Sequence, residues 1–231
     1  MKTPNPLRRI ALIAGIGYLI IFITGIFANF FILESLVVQD DASATFRNIQ
    51  EGASQFRVGI LAFVFMVLFD LVLTWALYLL LLPVNKNLSL FAAWFRLVNV
   101  AIFGVALFSL FDVLELTGGS LYLTEVSTEY IQAEVMRALS TFNYTWLLGL
   151  LFFGVHLVAL GALVLQSGFI PKFIGILLFI AGAGYLVDSF AQFMMPNYDA
   201  YQNLFAMIVI IPGVVGELSF TIWLLLKGGK R

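Results

Sequence analysis

Long apolar runs alternate with short polar breaks along this chain. A helix needs about 20 apolar residues to cross the hydrocarbon core of a bilayer, and six runs reach that length. The pattern therefore predicts an all-α, polytopic membrane protein, built as a bundle of six transmembrane helices. The predicted spans cover about residues 8–33, 56–82, 90–116, 139–166, 171–194 and 203–226.

The composition supports this fold class. Of the 231 residues, 62% are hydrophobic and only 11% are charged, whereas soluble proteins carry roughly 25% charged residues. Six spans use most of this length, so we expect residues 1–231 to form a single transmembrane domain. The first apolar run is too long for the core of a cleaved signal peptide, and we expect it to remain as a span. The absence of cysteine excludes disulfides and thiolate metal sites.

Charge is distributed unequally between the two predicted faces. One face, formed by the termini and the second and fourth connections, carries basic residues without acids: Lys2, Arg8, Arg9, Lys86, Lys172, Lys227, Lys230 and Arg231. The other face is mostly acidic, with Glu34, Asp40, Asp41, Glu51, Glu125, Glu129, Glu134 and Asp199 against Arg47, Arg57 and Arg137. By the positive-inside rule, both termini are predicted to be cytoplasmic in a multi-pass protein of the cell membrane.

Two of the outer connections run to about 22 residues each, long enough for a helix on the membrane surface. In the third connection, Ser127 or Thr128 can cap a helix in which Ile131, Val135 and Leu139 recur at helical spacing. We expect an amphipathic helix that leads into the fourth span. It would act either as a lid over the helix ends or as a gate for a ligand.

A short pattern of small residues occurs twice. Ala14-Gly-Ile-Gly-Tyr-Leu19 in the first span is echoed by Ala181-Gly-Ala-Gly-Tyr-Leu186 in the fifth. Small residues let helices approach closely in lipid, so each patch is expected to seat a neighbouring helix. An internal duplication of the transporter kind is the alternative explanation.

From the second span onward, the chain resembles a bacterial family of multi-pass membrane proteins catalogued only as a domain of unknown function. The residues that carry the likeness are Leu77-Tyr-Leu-Leu-Leu-Leu-Pro-Val84, Ala92-Ala-Trp-Phe-Arg-Leu97, Phe152-Phe-Gly-Val-His-Leu157, Ser167-Gly-Phe-Ile-Pro171, Gly184-Tyr-Leu-Val-Asp-Ser-Phe190 and Gly216-Glu-Leu218. The resemblance implies about six helices and no assigned activity. It also implies that Arg96, His156, Asp188 and Glu217 occupy recurrent positions of the family.

Five acidic, basic or imidazole side chains lie inside the predicted spans and away from the span ends, namely Asp70, Arg96, His156, Asp188 and Glu217. A charge near the bilayer centre costs roughly 2.5 kcal/mol or more, so such residues usually face the protein interior and form pairs there. They are the best candidates for a functional site.

Depth along the helices divides these residues into two levels. At about 1.5 Å of rise per residue, four of them fall within about 10 Å of depth. This predicts a buried polar cluster of Asp70, Arg96, His156 and Glu217, in which Arg96 contacts at least one of the others. Nearer the outer face, Asp188 is predicted to lie at the height of Asp112 and Glu115 as an outer acidic group.

The inner cluster would hold two acids, one permanent cation and one imidazole, so it approaches neutrality only with an additional proton. Proton-coupled behaviour is therefore one hypothesis. The alternative is that the polar residues merely join helices, and that Arg96, near one interface, extends to water. Pro212-Gly213 precedes Glu217, and proline predicts a bend that could line a site.

Three functions remain open from the sequence. The first is a small transporter or proton-linked permeation protein, which at this size would need to dimerise for alternating access. The second is a non-catalytic module that binds a lipid or a partner. The third, an intramembrane enzyme acting on a lipid or isoprenoid, would use His156 and Glu217 as an acid–base pair.

Common catalytic and cofactor motifs are missing from the sequence. A single histidine excludes a three-histidine zinc centre, and neither a phosphate-binding glycine loop nor an HExxH pair is present. The sequence therefore predicts no cofactor and no bound metal. It also lacks a basic patch for nucleic acid, and the expected partners are the bilayer and a small molecule, ion or lipid.

Overall fold

A computed structural model describes residues 6–119 and 125–229, and the regular structure within these ranges is helical. Lys2, Lys230 and Arg231, which enter the charge pattern, lie outside the described residues. The helices are α1 (Pro6–Ile26), α2 (Ala42–Glu51), α3 (Ala53–Leu81), α4 (Lys86–Thr117), α5 (Thr128–Ser167), α6 (Lys172–Met194) and α7 (Gln202–Leu226).

The prediction of six helices long and apolar enough to cross a membrane is confirmed for these residues. All the helices except α2 meet that requirement, and α1 does so together with its extension to Leu36. This extension includes a wider π-helical segment, Phe27–Leu33, where the sequence predicted an ordinary helix. No membrane is present in the structure, so "exposed" below means that the chain itself does not cover a residue.

The two long outer connections differ in how their helices form. The first contains α2, whose N-terminus is capped by Asp41, which accepts a hydrogen bond of 2.8 Å from the amide of Ala44. In the third connection, the predicted amphipathic helix and the fourth span form the single helix α5. Ser127 rather than Thr128 supplies the cap, accepting from the amide of Tyr130 at 3.4 Å. Helix α7 continues unbroken through Pro212.

The chain contains two compact units, and α1, α3, α4 and α5 contribute residues to both. Unit 1 comprises residues 6–19, 69–100 and 147–229, and unit 2 comprises residues 20–68 and 101–146 within the described ranges. The organisation of residues 1–231 as a single domain stays a prediction.

In unit 1, the beginning of α1 meets the end of α7. The guanidinium of Arg8 donates to the carbonyl oxygens of Leu224 at 3.0 Å and Gly228 at 2.9 Å, and also to that of Leu225. These carbonyls are the ones that a helix C-terminus leaves without an intrahelical donor. The bonds tie the first and last spans together at one end of the unit.

Small residues bring the helices of unit 1 close together, as the repeated pattern predicted. A Cβ added to Gly182 of α6 would lie 2.7 Å from the carbonyl oxygen of Gly154 in α5. One added to Gly15 of α1 would lie 2.7 Å from the Leu225 side chain of α7. Both copies of the pattern therefore seat a neighbouring helix.

The interior of unit 2 is aromatic. The ring of Trp146 in α5 stacks on Phe103 of α4 with centroids 3.6 Å apart. It also contacts Phe63 of α3 at 5.3 Å and Phe142 at 5.4 Å. The three phenylalanines are all buried. Aromatic contacts thus join α3, α4 and α5 within this unit.

Candidate functional site

Arg96 forms the centre of the polar interior of unit 1. Its side chain lies on α4 and is only 1% exposed, so it does not extend to water as the alternative interpretation allowed. Its Nε donates to Oδ1 of Asp70 on α3 at 2.5 Å. Asp70 is also buried. The ion pair therefore cancels two charges where neither is hydrated, and it joins α3 to α4.

His156 of α5 forms a further contact with Arg96. The terminal nitrogen NH1 of Arg96 lies 2.9 Å from Nε2 of His156, and Nδ1 of His156 lies 2.9 Å from the carbonyl oxygen of Ala92. Arginine can only donate and a carbonyl oxygen can only accept. Consequently Nδ1 carries the proton, Nε2 accepts from Arg96, and the imidazole is neutral in this arrangement.

Two aromatic rings contact the guanidinium of Arg96. Its Cζ atom lies 5.4 Å from the ring centroid of Tyr18 on α1 and 5.4 Å from that of Phe153 on α5. At this distance the negative ring faces attract the cation. The ring of Tyr185 on α6 packs against Phe153 in turn, with centroids 5.3 Å apart.

Tyr18 and Tyr185 were not among the residues predicted for the site. A signal for them was nevertheless present, because each is the tyrosine of the repeated pattern Ala-Gly-x-Gly-Tyr-Leu. The tyrosine hydroxyl of Tyr18 is fully buried and has no hydrogen-bond partner among the described residues. Burying such a group costs free energy, so this hydroxyl is available to a ligand, a water molecule or a moved side chain.

Glu217 of α7 differs from the other three predicted members of the cluster. Its side chain is partly buried, and it forms no ion pair or hydrogen bond with a described residue. It interacts electrostatically with Arg96 and Asp70, and both Tyr18 and Tyr185 are close enough to interact with its charge. The structure thus brings Asp70, Arg96 and His156 into direct contact and leaves Glu217 beside them, without an ion pair or hydrogen bond to any residue in the described ranges.

Asp188 on α6 has partners of its own. It accepts hydrogen bonds from the hydroxyl of Tyr198 at 2.6 Å and from Nε2 of Gln192 at 3.0 Å. Asp112 and Glu115 lie in unit 2, where both are exposed. The outer acidic group that was expected to combine these three residues therefore stays a prediction.

The arrangement of acids does not create a metal site in the described residues, because no three His, Asp or Glu side chains are grouped there. The space beside His156 is also small, with a volume of about 10 Å³, which is about the room one water molecule needs. Chemistry at His156 would thus require the imidazole to give up an existing bond and the neighbouring helices to move apart.

Comparisons with known proteins agree with this limited assignment. An uncharacterized protein of Archaeoglobus fulgidus is 34% identical over 164 residues, which cover 71% of this chain and 80% of that protein. That relative is archaeal, and the bacterial character expected of the family stays a prediction. No solved structure matches the chain. A family model matches residues 13–228. The chain therefore belongs to the family described as a domain of unknown function, DUF4386.

Proposed function

We propose that this protein spans the cell membrane with both termini in the cytoplasm, and that it moves protons, alone or linked to a small ion or molecule, through Glu217. The observation that carries this proposal is that Glu217 forms no ion pair or hydrogen bond with a described residue, while the nearby cation Arg96 is already paired with Asp70. An acid in a membrane interior without a partner is a common element of proton pathways.

The charges of unit 1 support this role. Arg96 and Asp70 cancel each other, and His156 is neutral because of its two hydrogen bonds. The net charge of this set is then zero when Glu217 is protonated and −1 when it is ionised. A single proton on Glu217 thus decides whether the interior carries a charge, while the other three residues keep their contacts.

The surroundings of Glu217 can take part in its protonation cycle. Tyr18 offers a buried hydroxyl that has no hydrogen-bond partner in the described part of the chain, and Tyr185 lies within electrostatic range of both Glu217 and Asp188. Hydroxyl and carboxyl groups in sequence can pass protons between them. We infer that Asp188, Tyr185 and Glu217 form the polar route through α6 and α7.

Proton movement can be measured with the full-length protein in liposomes that contain a pH-sensitive dye, driven by a potassium diffusion potential. We expect the wild-type protein to change the pH of the lumen in the direction that the imposed potential drives protons. Glu217→Gln should reduce the rate of this pH change to that of protein-free liposomes. Glu51→Gln is the matched control, because Glu51 is exposed at the end of α2. Equal rates for wild type and Glu217→Gln would exclude Glu217 as the proton carrier.

The second candidate is a non-catalytic membrane module whose polar interior is structural. The bonds of Arg96 to Asp70 on α3 and His156 on α5 favour it, because a buried cation with partners on two neighbouring helices joins those helices without any movement. Wild-type rates no higher than those of empty liposomes would support this alternative. The enzyme hypothesis has less support, because both imidazole nitrogens of His156 are already engaged.

The proposed orientation is testable because the chain contains no cysteine. Single substitutions Lys86→Cys and Glu51→Cys introduce a unique thiol at each face, while the parent chain serves as the unlabelled control. With a membrane-impermeant maleimide, we expect Glu51→Cys to react in intact cells and Lys86→Cys to react only after permeabilisation. The reverse pattern would overturn the orientation.

A further inference from the structure

A cavity of about 320 Å³ lies in unit 1 at the end where α1 begins and α7 ends. Its lining includes Leu7, Leu80, Pro83, Phe169, Trp223 and Lys227. The rings of Phe169 and Trp223 form adjoining walls, with centroids 6.1 Å apart. This volume is at the lower end of the range for small-molecule pockets, about 300–1,000 Å³, and is sufficient for part of one acyl chain.

The cavity is apolar apart from one charged side chain among these lining residues. Lys227 follows the last residue of α7, is exposed, and forms no ion pair with a described residue. The neighbouring cation Arg8 is already occupied, because it donates to three carbonyl oxygens at the end of α7. Among the described residues that line the cavity, Lys227 is the one with a charged side chain, and its ammonium group can contact a molecule bound there.

The position of the cavity indicates what kind of molecule can reach it. Pro83 and Phe169 lie in the connections that precede Lys86 of α4 and Lys172 of α6, so the four helix ends that these connections join lie at the same level as the beginning of α1 and the end of α7. The ends of spans lie near the lipid headgroups, where Trp and Lys side chains are enriched. Basic pockets between transmembrane helices at this level suit anionic headgroups.

We propose that this cavity binds an anionic phospholipid, with part of one acyl chain between Phe169 and Trp223 and the phosphate against Lys227. The apolar walls account for the chain, and the free ammonium group accounts for selectivity towards a negative headgroup. This site is separate from Glu217 and does not depend on proton movement.

Native mass spectrometry of the purified full-length protein tests the proposal. The protein is mixed with equal amounts of phosphatidylglycerol and phosphatidylcholine that have identical acyl chains. We expect the wild type to retain one phosphatidylglycerol in preference. Lys227→Gln should weaken this binding about fivefold, the factor that corresponds to about 1 kcal/mol for one basic residue near the surface.

Two further variants distinguish the effect of the Lys227 charge on lipid binding from the effect of the cavity volume. Lys172→Gln removes a lysine at the same end that does not line the cavity, and it should leave the preference unchanged. Leu7→Trp fills part of the cavity and should weaken binding of both lipids, while its elution profile matches that of the wild type. The expected pattern is weaker phosphatidylglycerol binding in Lys227→Gln and Leu7→Trp and unchanged binding in Lys172→Gln.

Three results would overturn the proposal. The first is equal retention of the two lipids by the wild type. The second is an equal loss of phosphatidylglycerol binding in Lys227→Gln and Lys172→Gln. The third is displacement of phosphatidylglycerol by an equal concentration of oleate, which would assign the cavity to a free fatty acid. None of these results bears on proton flux through Glu217, so the two proposals can fail independently.

Discussion

The interiors of the two units depend on different interactions. Unit 1 is organised around the buried ion pair of Arg96 and Asp70, whereas unit 2 is organised around the rings that contact Trp146. An ion pair is directional, and the loss of one partner leaves a charge without compensation. Stacked rings lose only contact area when one is truncated. The chemistry that could serve a function is therefore concentrated in unit 1.

The largest loss of stability should follow from breaking the ion pair. Asp70→Asn removes the carboxylate that Arg96 contacts directly and leaves the buried guanidinium only its electrostatic interaction with Glu217, and we expect a cost of about 3–5 kcal/mol. The measurement is the free energy of unfolding in mixed detergent micelles. The double variant Asp70→Leu/Arg96→Met should recover most of this loss, because it removes both charges together. Equal stability of Asp70→Asn and wild type would contradict the ionic interior of unit 1.

A smaller effect is expected in the aromatic interior of unit 2. Phe63 is buried against Phe142 and Trp146. Because lipid tails are as apolar as a phenyl ring, Phe63→Ala should lose mainly its packing, about 2 kcal/mol. Phe108→Ala is the control in the same unit, since that side chain is 68% exposed. If both variants unfold alike in the same assay, the aromatic contacts do not stabilise this unit.

A substitution that disturbs the close approach of α5 and α6 in unit 1 should reduce stability slightly less than Phe63→Ala does in unit 2. In Gly182→Ala, the new methyl group meets backbone atoms of α5 at 2.7 Å, so the helices must separate at a cost of about 1–2 kcal/mol. Gly104→Ala adds the same methyl group where nothing lies within 4 Å, and it should be neutral. Thermal unfolding of the two variants in parallel measures the difference. A neutral Gly182→Ala would mean that α5 and α6 can move apart freely.

The smallest change in stability is expected for Glu217→Gln. This substitution breaks no ion pair or hydrogen bond with a described residue, so we expect a change of less than about 1 kcal/mol. Unfolding experiments on Glu217→Gln and Asp70→Asn in the same detergent compare the two acids directly. A loss for Glu217→Gln as large as that for Asp70→Asn would assign Glu217 to the structural set.

Several features of the site followed from the sequence. Similar depths on four spans predicted that Arg96 contacts at least one of Asp70, His156 and Glu217, and the structure places Asp70 and His156 against Arg96. The preference of Arg96 for Asp70 over Glu217 did not follow. It depends on the rotation of α3, α4 and α7 about their own axes, which depth along a helix does not determine.

The aromatic part of the site was harder to predict. Tyr18 and Phe153 contact the guanidinium of Arg96, although aromatic residues are common throughout a membrane protein. The repeated pattern that contains Tyr18 indicated close helix packing there and not a contact with Arg96. The neutral state of His156 could not be predicted from the sequence either. It depends on the carbonyl oxygen of Ala92, a backbone group whose availability no residue type reveals.

The sequence alone determined that the described chain contains six helices long and apolar enough to cross a membrane, since apolar length is a local property measured against a bilayer of fixed thickness. It also identified the charged residues that cannot face lipid. The tertiary structure decided which of those charges cancel, which acid remains without a partner, and where a cavity opens beside Lys227. Those outcomes depend on distances between side chains far apart in the chain, and only the packed helices set them.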